Sequence, residues 1–435
     1  MNTYKKLVFS VLLVAFLAFL PFWVSAEGSR YFVRSNKSFW KNALGVRHEF
    51  GDGFTTDASD FQLRLAKIFG VGVESVGVLQ ILPETAISLS APVETGVPED
   101  ENGVLEIADE QPADSQSVTP EPTQVPAPKA VKGKGGTVRY IPSDQTPWGI
   151  EVVYDDPEVS VTAGGAGINV AVLDTGVNAN HPDLKSRVSQ CKDFTGSRVP
   201  VVDGKCDDKN GHGTHVAGII AADAGIDNLG VYGVAPEADI FAYKVCGPSG
   251  SCYADDISVA IREAADRGAN IINMSLGSNT SSSLIRSAVE YAASKGVLIV
   301  AAAGNDGPFP ESIDYPAAYP EVIAVGAINQ SFAVTDWSSR GSNSLTEPFV
   351  VEEKDIEFAA PGEYIESTWN NGSYVILSGT SMASPFVAGL AAKYWQSDML
   401  DPLGDTRVLL HSLTIDLLPY GDDDSSGFGL PVVNF

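Results

Sequence analysis

The chain has 435 residues, 44% of them hydrophobic, and 28 Lys+Arg against 55 Asp+Glu leave a formal charge of −27. This is apolar material for a core and at least one further unit, which excludes a wholly disordered chain, and no internal repeat points to a solenoid. So acidic a balance argues against nucleic acid or an anionic membrane surface as the main partner, because like charges repel.

The chain opens with Lys5 and Lys6, continues as an apolar run from Leu7 to Val24 and reaches Val24-Ser25-Ala26. A basic start, an apolar middle and small residues before a cut are the parts of a secretory signal peptide, expected over residues 1–26. The alternative is a retained membrane anchor, since about 18 apolar residues is near the shortest span that crosses a bilayer. Either way the rest is exported, and export permits disulfides. Residues 27–90 carry short apolar runs around one amphipathic stretch at 58–69, with Phe61, Leu65 and Ile68 at helical spacing, which predicts a small α+β unit. Over 91–136 the composition turns to Pro, Glu, Ser, Thr and Gly, with no Lys or Arg between Ile68 and Pro128, and predicts an acidic linker.

Residues 137–435 change character again. Runs at 168–173, 240–245, 271–274, 297–301 and 322–325 are almost wholly apolar, as strands buried on both faces are. Helix-like segments at 212–222, 253–267, 282–295 and 381–395 alternate with them, predicting a mostly parallel sheet with helices on both sides and reacting groups at the carboxyl ends of its strands. Cys191 and Cys206 bracket one polar loop and Cys246 and Cys252 another. Of three possible connectivities, the local pairing 191–206 and 246–252 is the simplest; a four-cysteine zinc site is the alternative, without the C-x2-C spacing such sites use.

Three element ends carry the chemistry. One buried strand ends at Asp174, the helix at Gly211-His212-Gly213-Thr214-His215 begins with an imidazole, and Ser378-Gly379-Thr380-Ser381 opens another helix with a hydroxyl. His212 is placed to take the proton of Ser381, with Asp174 orienting the imidazole. Asn305, after the 297–301 strand, supplies an amide donor for the oxyanion of an acyl transfer, beside the Ser381 backbone N–H. His212 and His215 could instead be metal ligands, but zinc proteases carry H-E-x-x-H and no Glu stands between these two; His215 and His181 read as structural.

In the order Asp174, His212, Asn305, Ser381, and in the wording around each, the sequence from Gln145-Thr-Pro-Trp-Gly to Gly427-Phe-Gly-Leu resembles the subtilisin-like serine proteases. The resemblance implies a three-layer α/β/α fold with a mostly parallel sheet, preceded by a ferredoxin-like α+β pro-domain at 27–90 that assists folding and inhibits until removed. It implies a secreted serine endopeptidase acting on polypeptides, monomeric, with no nucleic acid or lasting membrane partner. Substrate would add a strand between the stretch 247–253 and Ser275-Leu276-Gly277. Asp314 falls near the base of the first specificity pocket, with Asp306 at its mouth; it either selects Arg or Lys before the cut bond or caps a turn. A structural Ca2+ is implied on Asp144, Asp183, Asp227 and the carbonyls near Leu229 and Val231. The glycine-rich stretch 132–136 is an accessible maturation point, and the insertion at 341–357 has no counterpart in the family pattern. Two other readings remain: a peptide-transferring enzyme with the same catalytic set, and an exported binding protein that has lost activity.

Overall fold

The computed structural model describes residues 29–82, 85–87, 129–132, 138–196, 199–342 and 351–433. The expected leader, all of the linker except 129–132, most of the candidate maturation point and the middle of the 341–357 insertion lie outside the described residues.

The apolar runs form an eight-stranded sheet in the order Val202–Asp203, Val188–Asp193, Asp239–Lys244, Asn169–Asp174, Ile271–Met274, Leu298–Ala302, Val322–Ile328 and Phe358–Pro361. Only the first pair is antiparallel; the other neighbours run parallel. Because side chains alternate along a strand, Val170 and Val172 enter one core while Ala171 and Leu173 enter the other. The first core is closed by helices Trp148–Tyr154, His212–Ala221 and Thr380–Lys393, through residues such as Ile150, Ile220 and Phe386. Helices Ala254–Asp266 and Ser283–Ser294 close the second through Ile257, Ile261, Ile285 and Val289. The fold is the expected three-layer α/β/α arrangement. Leu173 is fully buried at its centre, where truncation to Ala costs about 2–5 kcal/mol.

The N-terminal unit runs strand, helix, strand, strand, helix, strand, with sheet order Glu49–Phe50, Gly53–Thr56, Tyr31–Arg34, Gly72–Ser75, a ferredoxin-like topology. Its second helix, Asp60–Ile68, starts at a capping box: Ser59 Oγ accepts from the Gln62 N–H, and Gln62 Oε1 accepts from the Ser59 N–H at 3.0 Å. The packed face is not the one the spacing suggested. Leu63 and Ala66 are buried, whereas Phe61, Ile68 and Phe69 are exposed. Several i, i+3 sets compete on so short a helix, and the set facing the unit's own small core wins. Helix Ser38–Leu44 gives no clear periodic signal and was not expected; Trp40 and Leu44 anchor it.

Strand Val78–Ile81 leaves this unit and pairs antiparallel on both sides with the larger one, with Ser251–Tyr253 at one edge and Leu276–Gly277 at the other. Residues 85–87 then pair with Tyr374–Ser378. Both local disulfides are present, Cys191–Cys206 and Cys246–Cys252, and no zinc arrangement of the cysteines forms. The second closes the loop that forms one of the edges of Val78–Ile81. Among the described residues no helix is long and apolar enough to cross a membrane.

Candidate active site

Asp174 ends one parallel strand and Asn305 lies just past another, while His212 and Ser381 sit at the starts of helices His212–Ala221 and Thr380–Lys393, whose contacts with Asp174, Asn305 and the loop after Ile271–Met274 bring all four to one rim of the sheet. His212 Nδ1–H donates to both oxygens of Asp174, at 2.7 and 2.9 Å, and both side chains are buried. The carboxylate also accepts from the Thr175 N–H at 2.6 Å. Close approach of helix and strand depends on Gly213: a Cβ there would meet the Gly176 carbonyl at 2.1 Å and Asp174 Cβ at 2.9 Å.

The Ser381 hydroxyl donates to the Ser275 carbonyl at 3.3 Å, and the Ser275 hydroxyl donates back to the Ser381 carbonyl at 2.9 Å. Asn305 is oriented without ambiguity. Its Oδ1 accepts from the backbone N–H of Thr380 at 3.0 Å and from the Thr380 hydroxyl at 2.9 Å, which assigns oxygen and leaves Nδ2 as the donor on the other side.

Two supporting residues escaped the sequence reading. Asp208 accepts at Oδ1 from the N–H groups of Asn210 and Gly211 and the Thr175 hydroxyl, and at Oδ2 from Thr214 N–H and hydroxyl, tying the start of the His212 helix to the strand of Asp174. Its signal was visible as an acidic residue just ahead of a helix start. Lys244, buried opposite Asp174 in register, donates to the Thr175 and Cys246 carbonyls; burial lowers its pKa. A lysine closing an apolar strand gives no such hint. His215 is structural as expected, its Nε2–H shared by the Ile365 and Val375 carbonyls, and burial pushes it down to about 3. His181 bonds the Ser373 carbonyl and the Asp183 N–H.

The two edges expected to take substrate hold the chain's own strand: Gln80 lies opposite Ser251 and Gly277, and Ile81 opposite Leu276. Continued by one residue, this register brings Leu82 beside Ser275, the residue bonded to Ser381. Asp314 is buried between Gly277 and Gly304: a Cβ on Gly277 would come within 2.8 Å of its Oδ2 and one on Gly304 within 3.1 Å. Burial, and secondarily Asp306, raise its pKa to about 7.

The expected calcium ligands are only partly assembled. Asp183 and Asp227 meet, but Asp144 does not join them: its Oδ1 accepts from the Thr146 N–H in a local turn. Gln145, one residue on, reaches the loop instead, donating to the Asn228 and Gly230 carbonyls. Leu229 and Val231 present N–H groups to the carboxylates, and the Val231 carbonyl is taken by the Ala224 N–H. Between the carboxylates lies the Arg139 guanidinium, 2.8 Å from Asp183 and 3.1 Å from Asp227. Oxygen donors of this kind suit a hard cation, yet as folded they surround a cation from the chain and do not fit a metal ion.

An α/β/α sheet with a carboxylate–imidazole pair, a helix-start serine and an aimed amide on one rim is the architecture of a serine hydrolase. The subtilase family (peptidase S8) model matches residues 165–419. A subtilisin of Bacillus sp. (strain TA39) is 49% identical over 308 residues, 67% of this chain and 73% of the relative. Among solved structures, an S41 psychrophilic protease and a sphericase are each 50% identical, cover 67% of this chain and 99% of their own, and superpose with TM-scores of 0.64 and 0.65. The chain belongs to the subtilase family and is a subtilisin-like serine endopeptidase, a hydrolase whose substrates are polypeptides.

Proposed function

We propose that the protein is an exported endopeptidase made as a zymogen, with Ser381 as nucleophile, His212 as general base and acid, Asp174 positioning the imidazole, and Asn305 Nδ2 with the Ser381 N–H receiving the oxyanion. The observation that carries this reading is strand Val78–Ile81 lying between Ser251–Tyr253 and Leu276–Gly277, as an extended substrate would, with its next residue beside the Ser275–Ser381 pair. To react, the Ser381 hydroxyl leaves the Ser275 carbonyl for the imidazole. Oγ then attacks the peptide carbonyl carbon while its proton passes to His212; the imidazolium formed is stabilised by Asp174 and protonates the departing amine. Water attacks the acyl-enzyme by the reverse proton route and frees the serine.

Residues 27–90 act as the pro-domain and 1–26 as the leader, with Ser275, Leu276, Gly277 and Asp314 binding substrate. Charge supports the docking. Arg30 and Arg47, both buried, reach Asp255 and Asp256 at the start of helix Ala254–Asp266, with Arg30–Asp256 at 2.7 Å and Arg47–Asp256 at 3.0 Å, and His48 bonds Asp256 at 2.9 Å. Calcium enters this proposal as a structural ion of the matured enzyme and takes no part in the chemistry. The test is expression of the native chain and Ser381→Ala in parallel, with peptide hydrolysis and N-terminal sequencing of the products. Ser381→Ala is expected to lose roughly 10⁴–10⁶-fold in rate and to keep its N-terminal unit attached; full activity in the variant would end the assignment.

A further inference from the structure

The buried Asp183 carboxylate needs a compensating positive charge. Its Oδ2 accepts from the Tyr374 hydroxyl at 2.7 Å and from the Val231 N–H at 3.0 Å, and its Oδ1 accepts from Arg139. Arg139 also donates to both oxygens of Asp227, at 3.1 and 3.2 Å, and its third nitrogen faces the Tyr374 hydroxyl at 3.0 Å. The loop is shaped around these carboxylates: a Cβ on Gly230 would lie 2.1 Å from either Asp183 oxygen. Arg139 comes from strand Val138–Ile141, which among the described residues pairs with Lys129–Lys132 and has no place in the main sheet. Its seat on the larger unit is made by side chains and not by main-sheet pairing: the Arg139 guanidinium on the carboxylates, Tyr140 packed against the core and Ser143 bonded to Glu366.

We propose that Arg139 is a tethered substitute for a divalent cation: in the uncut chain it occupies the Asp183–Asp227 site, and a hard metal ion can bind there only once Arg139 leaves. The chemistry favours exchange over co-occupancy. One guanidinium against two carboxylates leaves the cluster at −1, so a divalent ion replacing it brings the cluster to zero, whereas both together would place three positive charges within one coordination shell. The Gln145 side chain turns with the same logic. It now spends its amide N–H2 on the Asn228 and Gly230 carbonyls, and a flip of that amide would present its oxygen in place of its nitrogen while freeing two backbone carbonyls for the ion. The metal-insensitive precursor and the metal-binding mature enzyme would then be two charge states of one site, separated by the position of one arginine. The inference rests on the zymogen reading, whose own test, hydrolysis and processing in the native chain, is separate from the measurement below.

The experiment uses the full-length Ser381→Ala chain, which does not process itself, with and without Arg139→Gln, and calcium chloride as the probe. Calorimetric titration should find one more calcium ion bound per chain in Arg139→Gln than in its parent, and Asp227→Asn added to it should remove that ion. Melting should agree: the parent is unmoved by EDTA at this site, while Arg139→Gln melts roughly 5–10 °C lower in EDTA and recovers in millimolar calcium. Arg139→Lys, which keeps the charge, should behave as the parent. Equal calcium stoichiometry in parent and Arg139→Gln overturns the proposal. So does an Arg139→Gln chain that fails to melt cooperatively even in millimolar calcium, because a metal ion would then be unable to replace the guanidinium.

Discussion

In the proposed reading Asp314 lies at the base of the pocket for the residue before the cut bond, and its replacement by Asn keeps the shape and removes the charge. The carboxyl lies between the walls formed by Gly277 and Gly304, 5% exposed. A guanidinium entering the pocket from the residue before the cut bond would meet it in a dehydrated site, where such a pair is worth about 3 kcal/mol, or on the order of 10²-fold in kcat/KM for Arg over Leu. The sign with pH follows from a pKa raised to about 7. The carboxylate that attracts the cation is present above that value and lost below it, so its fraction rises from about one tenth at pH 6 to about nine tenths at pH 8. The Arg-to-Leu ratio should therefore climb about nine-fold over that interval in the native enzyme and stay flat in Asp314→Asn. The assay is kcat/KM on two fluorogenic peptides differing only at that residue, at pH 6, 7 and 8; taking the ratio cancels any pH effect common to both substrates. Stability moves the other way. A carboxyl whose folded pKa is raised contributes stability present below its unfolded pKa and lost as pH rises toward 7, so Asp314→Asn should gain in melting temperature relative to the native chain at pH 8 but not at pH 4. Preference for Leu at every pH, or a ratio unchanged by Asp314→Asn, would refute the reasoning and leave Asp314 as a turn residue.

Asn305→Ala should lower kcat about 10²–10³-fold with little change in KM, because its amide acts on the oxyanion and not on the resting substrate; a loss confined to KM would contradict that role. Arg47→Ala leaves Asp256 short of a buried partner, so maturation should become faster and residual inhibition by the pro-domain weaker by about 30-fold or more, read from processing time courses and activity appearance. Leu82, which follows the inserted strand, is joined to Pro83, a tertiary amide that suits an occupant the enzyme does not cut. Pro83→Ala should produce a new N-terminus at residue 83, detectable by N-terminal sequencing; an unchanged product pattern would place Leu82 away from the reacting carbon.

Much of the site could be read from the chain because each reacting group sits at a local discontinuity. Asp174 ends an apolar strand, and His212 and Ser381 open helices flanked by glycine, so their element ends were placed within a residue or two. The central strands were equally plain, since burial on both faces leaves no polar interruption. Strand Val202–Asp203 at the sheet edge and Val188–Asp193 beside it carried no such mark, because this half-exposed side of the sheet mixes Ser, Gln, Lys and Asp among its apolar residues. The expected calcium ligands show where the sequence pattern and the structure part: Asp144 bonds the Thr146 N–H, while Gln145 reaches the Asn228 and Gly230 carbonyls. A one-residue shift along an extended segment turns a side chain to the other side, so the residue with the charge is not the one that faces the Asp183–Asp227 loop.

What the sequence by itself determined was the chain order of Asp174, His212, Asn305 and Ser381 at element ends and the layered α/β frame, because both follow from local pattern repeated along the chain. Tertiary structure alone decided which charges meet. Arg139 and Asp183, Arg47 and Asp256, and Gln80 and Gly277 are all far apart in the chain, and each pair forms only where a buried carboxylate or an unpaired strand edge must find a partner, within the larger unit for the first and between the two units for the others. Desolvation makes those choices, and desolvation is a property of the folded interior that no stretch of sequence carries alone.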